Sequence, residues 1–254
     1  MTKETGATET GDIRITLADD GGLEIVIDRP DAGNALTAAM TDALADAIAA
    51  PPDGAKFIVL QGAGADFCAG RVSPMPKDAG PKTPEQIRSR VADPVLDFYD
   101  TVRRTPLPVI AAVRGRAHGV GCALAGLADI VLADDSADFR IPEMARDIPP
   151  LLVGAALAGR LPRAALARLI YGRESIDAAT ALQMGLACEI CTAAGMEASL
   201  QTWRARLADN SPTVLATVKR FLNLVPETGF AGLREYAAVA NSAAVSERFI
   251  VPKG

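Results

Sequence analysis

The chain has 254 residues, 49% of them hydrophobic and 22% charged, with a net charge of −5 and a pI near 5.0. Those proportions suit one large globular domain, or one domain with an appendage, holding a substantial core. The acidic balance argues against a nucleic acid or an anionic membrane as partner, because no basic run exceeds Arg103-Arg104 or Lys219-Arg220.

No apolar run reaches the roughly 18 to 20 residues that span a bilayer. The first residues, MTKETGATETGD, are polar, without an apolar signal core, and are expected to form a disordered tail over 1–12. Cys68, Cys122, Cys188 and Cys191 lie in apolar or small-residue stretches, so a reducing cytoplasmic setting is expected. The lone Cys188-x-x-Cys191 pair, with no second pair and no nearby His, reads as two buried thiols rather than a metal site.

Ile13 to Leu17 and Leu23 to Ile27 alternate around Asp19-Asp20-Gly21-Gly22, which predicts a hairpin. After the Arg29–Asn34 loop, Thr37 is a candidate N-cap for a helix over Ala38–Ala49 with Met40, Leu44 and Ile48 on one face. Phe57 to Leu60 reads as a short buried strand ending at Gly62-Ala63-Gly64. Met75 to Pro84, with three prolines, is expected to be a mobile loop before a helical segment, Glu85–Arg104, kinked at Pro94.

Pro108 to Glu143 carries the densest pattern: an apolar strand (Val109–Val113), a turn marked by Gly115, Gly119 and Gly121, a small-residue helix (Cys122–Ala128), a second buried strand (Ile130–Ala133), and Glu143 after Ile141-Pro142. A strand feeding a glycine turn and then a helix leaves backbone N–H groups without intrahelical partners, at the positive end of the helix dipole. That is a place to hold an oxyanion. Beyond it come a loop (Met144–Pro150), helix over Leu151–Ile170 broken at Pro162, a helix capped by Asp177 and ended by Gly185, and a strand Leu186–Cys191. Helices over Met196–Ala208, Pro212–Leu224 and Gly229–Arg248 finish the chain. From the pattern alone the fold is mixed α/β with a helical C-terminus.

The Pro108–Glu143 segment, together with RPDAGNAL (Arg29–Leu36), FIVLQGAGADFCAG (Phe57–Gly70) and YGRESIDAATALQMGLACEI (Tyr171–Ile190), resembles the enoyl-CoA hydratase/isomerase (crotonase) superfamily, in the same order and over about Ile13 to Leu222. The resemblance implies an α/β fold, a crotonase-like spiral of repeated ββα units over 13–192, and a C-terminal helical trimerisation region over 193–254. It further implies an acyl-CoA thioester substrate, coenzyme A as part of that substrate rather than a permanently bound cofactor, and a homotrimer or dimer of trimers.

By the same resemblance, the backbone N–H groups of Arg71 and Val120 are the oxyanion donors, Val120 standing where the family commonly has Gly. Glu143 matches one of the two hydratase glutamates; the other position is Ala123. A lone carboxylate resembles the pattern of the double-bond isomerases of the superfamily, so Glu143 is expected to move the proton. Asp147, four residues on, is a candidate substitute for the missing glutamate if both face one side of a helical turn, and a solvated Asp paired with Arg146 or Arg140 if not. His118, the only histidine, is a candidate for lining the pocket or bonding the turn.

The resemblance further implies Ala35, Ala65, Asp66, Ala69, Gly70, His118, Gly119 and Ala123 as substrate-binding positions, with Arg29 and Lys219, the latter from a neighbouring subunit, as candidate phosphate contacts. No metal site is expected. The nucleophilic Asp of the dehalogenating branch is absent after Pro150. Hydration with Asp147 or water in place of the lost glutamate, and catalytically silent binding of a CoA thioester, stay open as alternatives.

Overall fold

The computed structural model describes residues 8–73 and 80–250. Residues 75–79 of the loop expected at Met75–Pro84, and the last residues of SERFIVPKG, lie outside that range. Strand β1 (Thr8–Thr10) pairs antiparallel with β2 (Ile13–Leu17), so the stretch read as a disordered tail is ordered from Thr8 onward. Strand β2 pairs in turn with β3 (Gly22–Ile27), in register from Ile13↔Ile27 to Leu17↔Leu23, closing the expected hairpin.

Thr37 caps α1 (Ala38–Ala49) through its hydroxyl, which accepts from Met40 N–H at 3.2 Å. Strand β4 (Phe57–Gly62) follows. The next helical stretch divides into α2 (Pro84–Ile87), a π turn over Arg88–Ala92, and α3 (Asp93–Arg104). Pro94 explains the division: in a continuous helix its ring would meet the carbonyl four residues back, and the wider turn moves it into the first turn of α3, where no N–H is needed.

Strand β5 (Val109–Val113), β6 (Arg116–His118), α4 (Val120–Leu127), β7 (Ile130–Asp134) and β8 (Asp138–Arg140) form the central run. A 3-10 turn (Glu143–Arg146) leads to α5 (Leu151–Ala158) and α6 (Arg163–Gly172), parted at Pro162 as expected. Asp177 ends β9 (Ile176–Asp177) and caps α7 (Ala178–Met184), which stops at Gly185. Strand β10 is Glu189–Cys191, shorter than the predicted strand because Leu186 and Ala187 bond back to Ala181 O as a helix end. Helices α8 (Met196–Ala208), α9 (Pro212–Leu224) and α10 (Phe230–Ile250) complete the chain.

The main sheet has the order β1-β2-β3-β4-β5-β7-β10, parallel from β3 onward. A second, smaller sheet runs β6-β8-β9 and is extended by bridges Cys68↔Ala117 and Leu36↔Arg71. Each turn of the chain thus lays one strand in the large sheet and one segment in the small one before its helix: this is the expected crotonase-like ββα spiral. Alternation along the strands divides the core. Leu23, Ile25, Ile58, Leu60, Ala111 and Val131 face α1, α3 and α4, while Phe57, Val59, Ile110, Ala112 and Leu132 face Met196 and Leu200 of α8. Helix α8 is therefore a layer of the core as well as the start of the helical region.

Buried ion pairs fasten the C-terminal helices. Arg204 of α8 reaches Asp20 and Glu24 of the hairpin, and Lys219 of α9, 2% exposed, meets Asp129 at 2.7 Å. No helix among the described residues is long and apolar enough to cross a membrane.

Candidate active site

Segment 67–72 is threaded between two neighbours of the small sheet. Cys68 N–H donates to Arg116 O at 2.8 Å and Cys68 O accepts from His118 N–H at 2.9 Å. Leu36 N–H donates to Gly70 O and Val72 N–H to Leu36 O, both at 2.9 Å. With Gly70 and Val72 turned toward Leu36, strand alternation aims the N–H of Arg71 the other way. Gly70 passes alongside the His118 carbonyl, so the Arg71 segment borders the turn at Gly119.

That turn starts α4 two residues earlier than the sequence pattern predicts, which makes Val120 its first residue. Its N–H has no intrahelical acceptor and lies at the positive end of the helix dipole. Among the described residues neither the Arg71 nor the Val120 N–H has a backbone acceptor. Two glycines make the turn possible: Gly119 holds φ +52°, and a Cβ on Gly121 would penetrate the Cys68 carbonyl. Val120 itself is helical, so its branched side chain leaves the N–H geometry intact.

Gly119 N–H donates to Arg140 O at 2.9 Å, which carries the chain after β8 across the turn and sets Glu143 against it. Glu143 Oε1 lies 3.1 Å from where a Cβ on Gly119 would stand, and Glu143 Oε2 has no protein partner. Burial raises the carboxyl pKa above its ordinary value, opposed by its own backbone N–H and by the charge of Arg146. A half-buried carboxylate with a free oxygen, beside two backbone donors, can take a proton from a carbon whose neighbouring carbonyl the donors hold.

The other expected residues fall in different places. Ala123 is fully buried on α4, and its N–H bonds Gly119 O at 3.0 Å. Asp147 ends the 3-10 turn, exposed and with φ +57°, its N–H directed at Glu143 O and Met144 O. Among the described residues it forms no ion pair, and Arg140 Nε donates to Arg173 O instead. His118 bonds Asp138, Nε2 to Oδ2 at 3.0 Å, on the face of β6 opposite Ala117.

The carboxylate of Asp66 is held by Arg116, leaving only its backbone for a ligand. Ala65 is exposed, and Ala35, Ala69 and Gly70 are half-buried beside the Arg71 segment. Arg29 is engaged by Ala35 O and Asp12, and Lys219 is sealed against Asp129, so the second is no phosphate contact within this chain. Cys188 is exposed beside Arg160 and Cys191 half-buried, in place of the two buried thiols expected, because β10 is the edge of the sheet.

Two residues escape the sequence reading. Asn34, fully buried with φ +57°, accepts from Arg29 N–H and donates to Ala63 O and Asp66 O, at 2.8 and 2.6 Å, tying the two loops expected to border the ligand. Tyr99 on α3 lies in the apolar stripe of Val95, Phe98 and Val102, 4% exposed, and its hydroxyl has no protein partner. The signal for Tyr99 was a polar atom on a stripe otherwise wholly apolar.

A family model described as enoyl-CoA hydratase/isomerase matches residues 19–233. A Rhodobacter capsulatus protein called "probable enoyl-CoA hydratase" is 34% identical over 210 residues, covering 79% of this chain and 77% of that one. The crystal structure of an enoyl-CoA hydratase from Mycobacterium smegmatis matches with a TM-score of 0.85 at 22% identity, over 96% of this chain and 93% of that one. A Thermobifida fusca protein solved in complex with CoA matches at 0.83 with 25% identity, over 94% and 95%.

Proposed function

Because this chain belongs to the enoyl-CoA hydratase/isomerase family, we propose that it moves the double bond of an enoyl-CoA thioester through an enolate, with Glu143 as the single acid/base. The observation that carries this reading is Glu143 itself, poised and without a second carboxylate at Ala123. Glu143 takes a proton from C2 of a 3-enoyl thioester, and the charge moves onto the thioester oxygen between the N–H groups of Arg71 and Val120. Each such donor contributes about 10²- to 10³-fold in rate. The protonated Glu143 then returns the proton at C4, giving the 2-enoyl product.

Coenzyme A enters as the carrier of the acyl group, along the loops of Ala35 and of Ala65-Asp66, which Asn34 braces. Support comes from the CoA held by the Thermobifida fusca protein. Exposed apolar side chains on α9 and α10, among them Val218, Leu222 and Val239, favour a homotrimer or dimer of trimers. Hydration is a second reading, favoured by the hydroxyl of Tyr99 near Glu143.

The test is to incubate wild type and Glu143→Gln with a 3-enoyl-CoA and a 2-enoyl-CoA in deuterated water, following mass and ultraviolet absorbance. Conversion of the 3-enoyl to the 2-enoyl isomer, lost in the variant, is the expected result. A 3-hydroxyacyl product as the main one selects hydration. Absence of turnover and of exchange at C2 would leave a silent thioester binder.

A further inference from the structure

Polar atoms buried without protein partners are rare enough to ask what each is for. Two of them are Tyr99 Oη, on α3, and Glu143 Oε2, whose carboxylate lies against Gly119 at the start of α4, the helix on which α3 packs. Beyond the effect of burial, the charge that acts most on the Tyr99 phenol is Glu143, followed by Arg71, with Cys122 and Cys68 next. Those residues flank both backbone donors: Cys122 is two past Val120 and Cys68 three before Arg71.

The phenol is the wrong choice for packing alone. A Phe in the stripe of Val95, Phe98 and Val102 would fill nearly the same space without leaving a polar atom buried and unpaired. Burial and the Glu143 charge also keep the phenol protonated, hence a donor. Glu143 as carboxylate is an acceptor. One oxygen atom that carries a hydrogen satisfies both.

Other features lead nowhere comparable. Clefts of about 500 and 640 Å³ near Arg103 and Glu227 are lined by charges that are already engaged, in ion pairs or, for Arg160 and Arg220, with carbonyls and the Tyr236 ring.

We propose that Tyr99 is a catalytic residue of this site, whose hydroxyl acts with Glu143 to hold a water molecule, or the 3-hydroxyl of a 3-hydroxyacyl thioester, beside C3. This rests on the CoA-thioester reading and adds hydration of 2-enoyl-CoA to isomerisation. The water oxygen bonds to C3 as the C2=C3 π electrons pass to the thioester oxygen. Glu143 removes the water proton and delivers it to C2, so that H and OH are added while the Tyr99 O–H stays intact.

The experiment compares binding of 3-hydroxybutyryl-CoA and butyryl-CoA by calorimetry, in wild type and Tyr99→Phe. Wild type should prefer the hydroxy compound by about tenfold, the scale of one net hydrogen bond, and Tyr99→Phe should lose that preference. In turnover, the ratio of hydration to isomerisation should fall by about the same factor. Equal binding of the two thioesters by wild type, or a preference that survives in the variant, overturns the inference. If wild type binds neither, the CoA reading of the site is what fails. Thermal melting supplies the control: the variant should melt at the same temperature or higher, and a lower one would mark the hydroxyl as structural.

Discussion

Asp66 and Glu143 are carboxylates at the two ends of β6, Asp66 beside Gly115 and Glu143 beside Gly119, and the protein treats them in opposite ways. Asp66 is fully engaged: Oδ1 accepts from the N–H and Nε of Arg116, both at 2.9 Å, and Oδ2 from Nη2 at 2.6 Å. The Arg116 bond pulls its pKa below the ordinary value although burial works against it. Glu143 has one oxygen unpartnered and a pKa raised by burial. A carboxylate stabilised as the anion makes a brace, and a carboxylate deprived of partners makes a base. Burial alone does not separate the two; the difference is an arginine placed to form a fork.

The strongest way to break this comparison is at Glu143. Glu143→Gln should lower the rate by about 10²- to 10⁴-fold, the span of a lost general acid/base, with little loss of stability because no partner is orphaned. The pH profile sharpens the same point. A base works only when ionised, so kcat/KM should climb as pH rises through the Glu143 pKa and level off above it. With that pKa raised, the acid limb belongs above the ordinary 4.5 of a glutamate. An inflection at or below 4.5 in wild type would show that Glu143 is paired or solvated in the free enzyme.

Next in size is the contact between the Gly119–Gly121 turn and the segment after Asp66. A methyl group at Gly121 would drive into the Cys68 carbonyl, and neither backbone can yield without disturbing the Cys68–Arg116 and His118–Cys68 bonds. Gly121→Ala should therefore destabilise the fold by about 1–3 kcal/mol, read as a shift in the denaturant midpoint, and weaken turnover beyond what the lost stability explains. A variant with wild-type stability and rate would mean that the two segments are less tightly registered than the geometry requires.

Much of this was legible in the sequence. The hairpin, the Thr37 and Asp177 caps and the break at Pro162 follow from local chemistry, and Gly119-Val120-Gly121 marks the helix start to within two residues. Glu143 is legible through the resemblance of the Pro108–Glu143 segment to the family's pattern. What stayed hidden depends on contacts between distant segments. The αL brace of Asn34 joins residues 29 and 32 positions apart in the sequence. The left-handed backbone of Asp147 at the end of the Glu143–Arg146 turn is likewise invisible in the spacing of the two carboxylates. Tyr99 carries the periodicity of a core residue, and nothing short of its surroundings reveals a hydroxyl without a partner.

The smallest effect completes the comparison from the side of Asp66. Asp66→Asn keeps an acceptor for the Arg116 backbone and removes the charge that the guanidinium faces. Because the Arg116 side chain is 50% exposed, solvent screens the pair, and the loss should stay near 1 kcal/mol or less. Its pH dependence has a definite sign. A depressed pKa contributes stability that is present above the unfolded value of 3.8 and disappears as pH falls through the folded value. Urea midpoints of wild type and Asp66→Asn should therefore differ at pH 7 and converge in acid. A gap that persists below both values would mean that the pair stabilises by shape rather than by charge, and Asp66 would then differ from Glu143 in packing before it differs in ionisation.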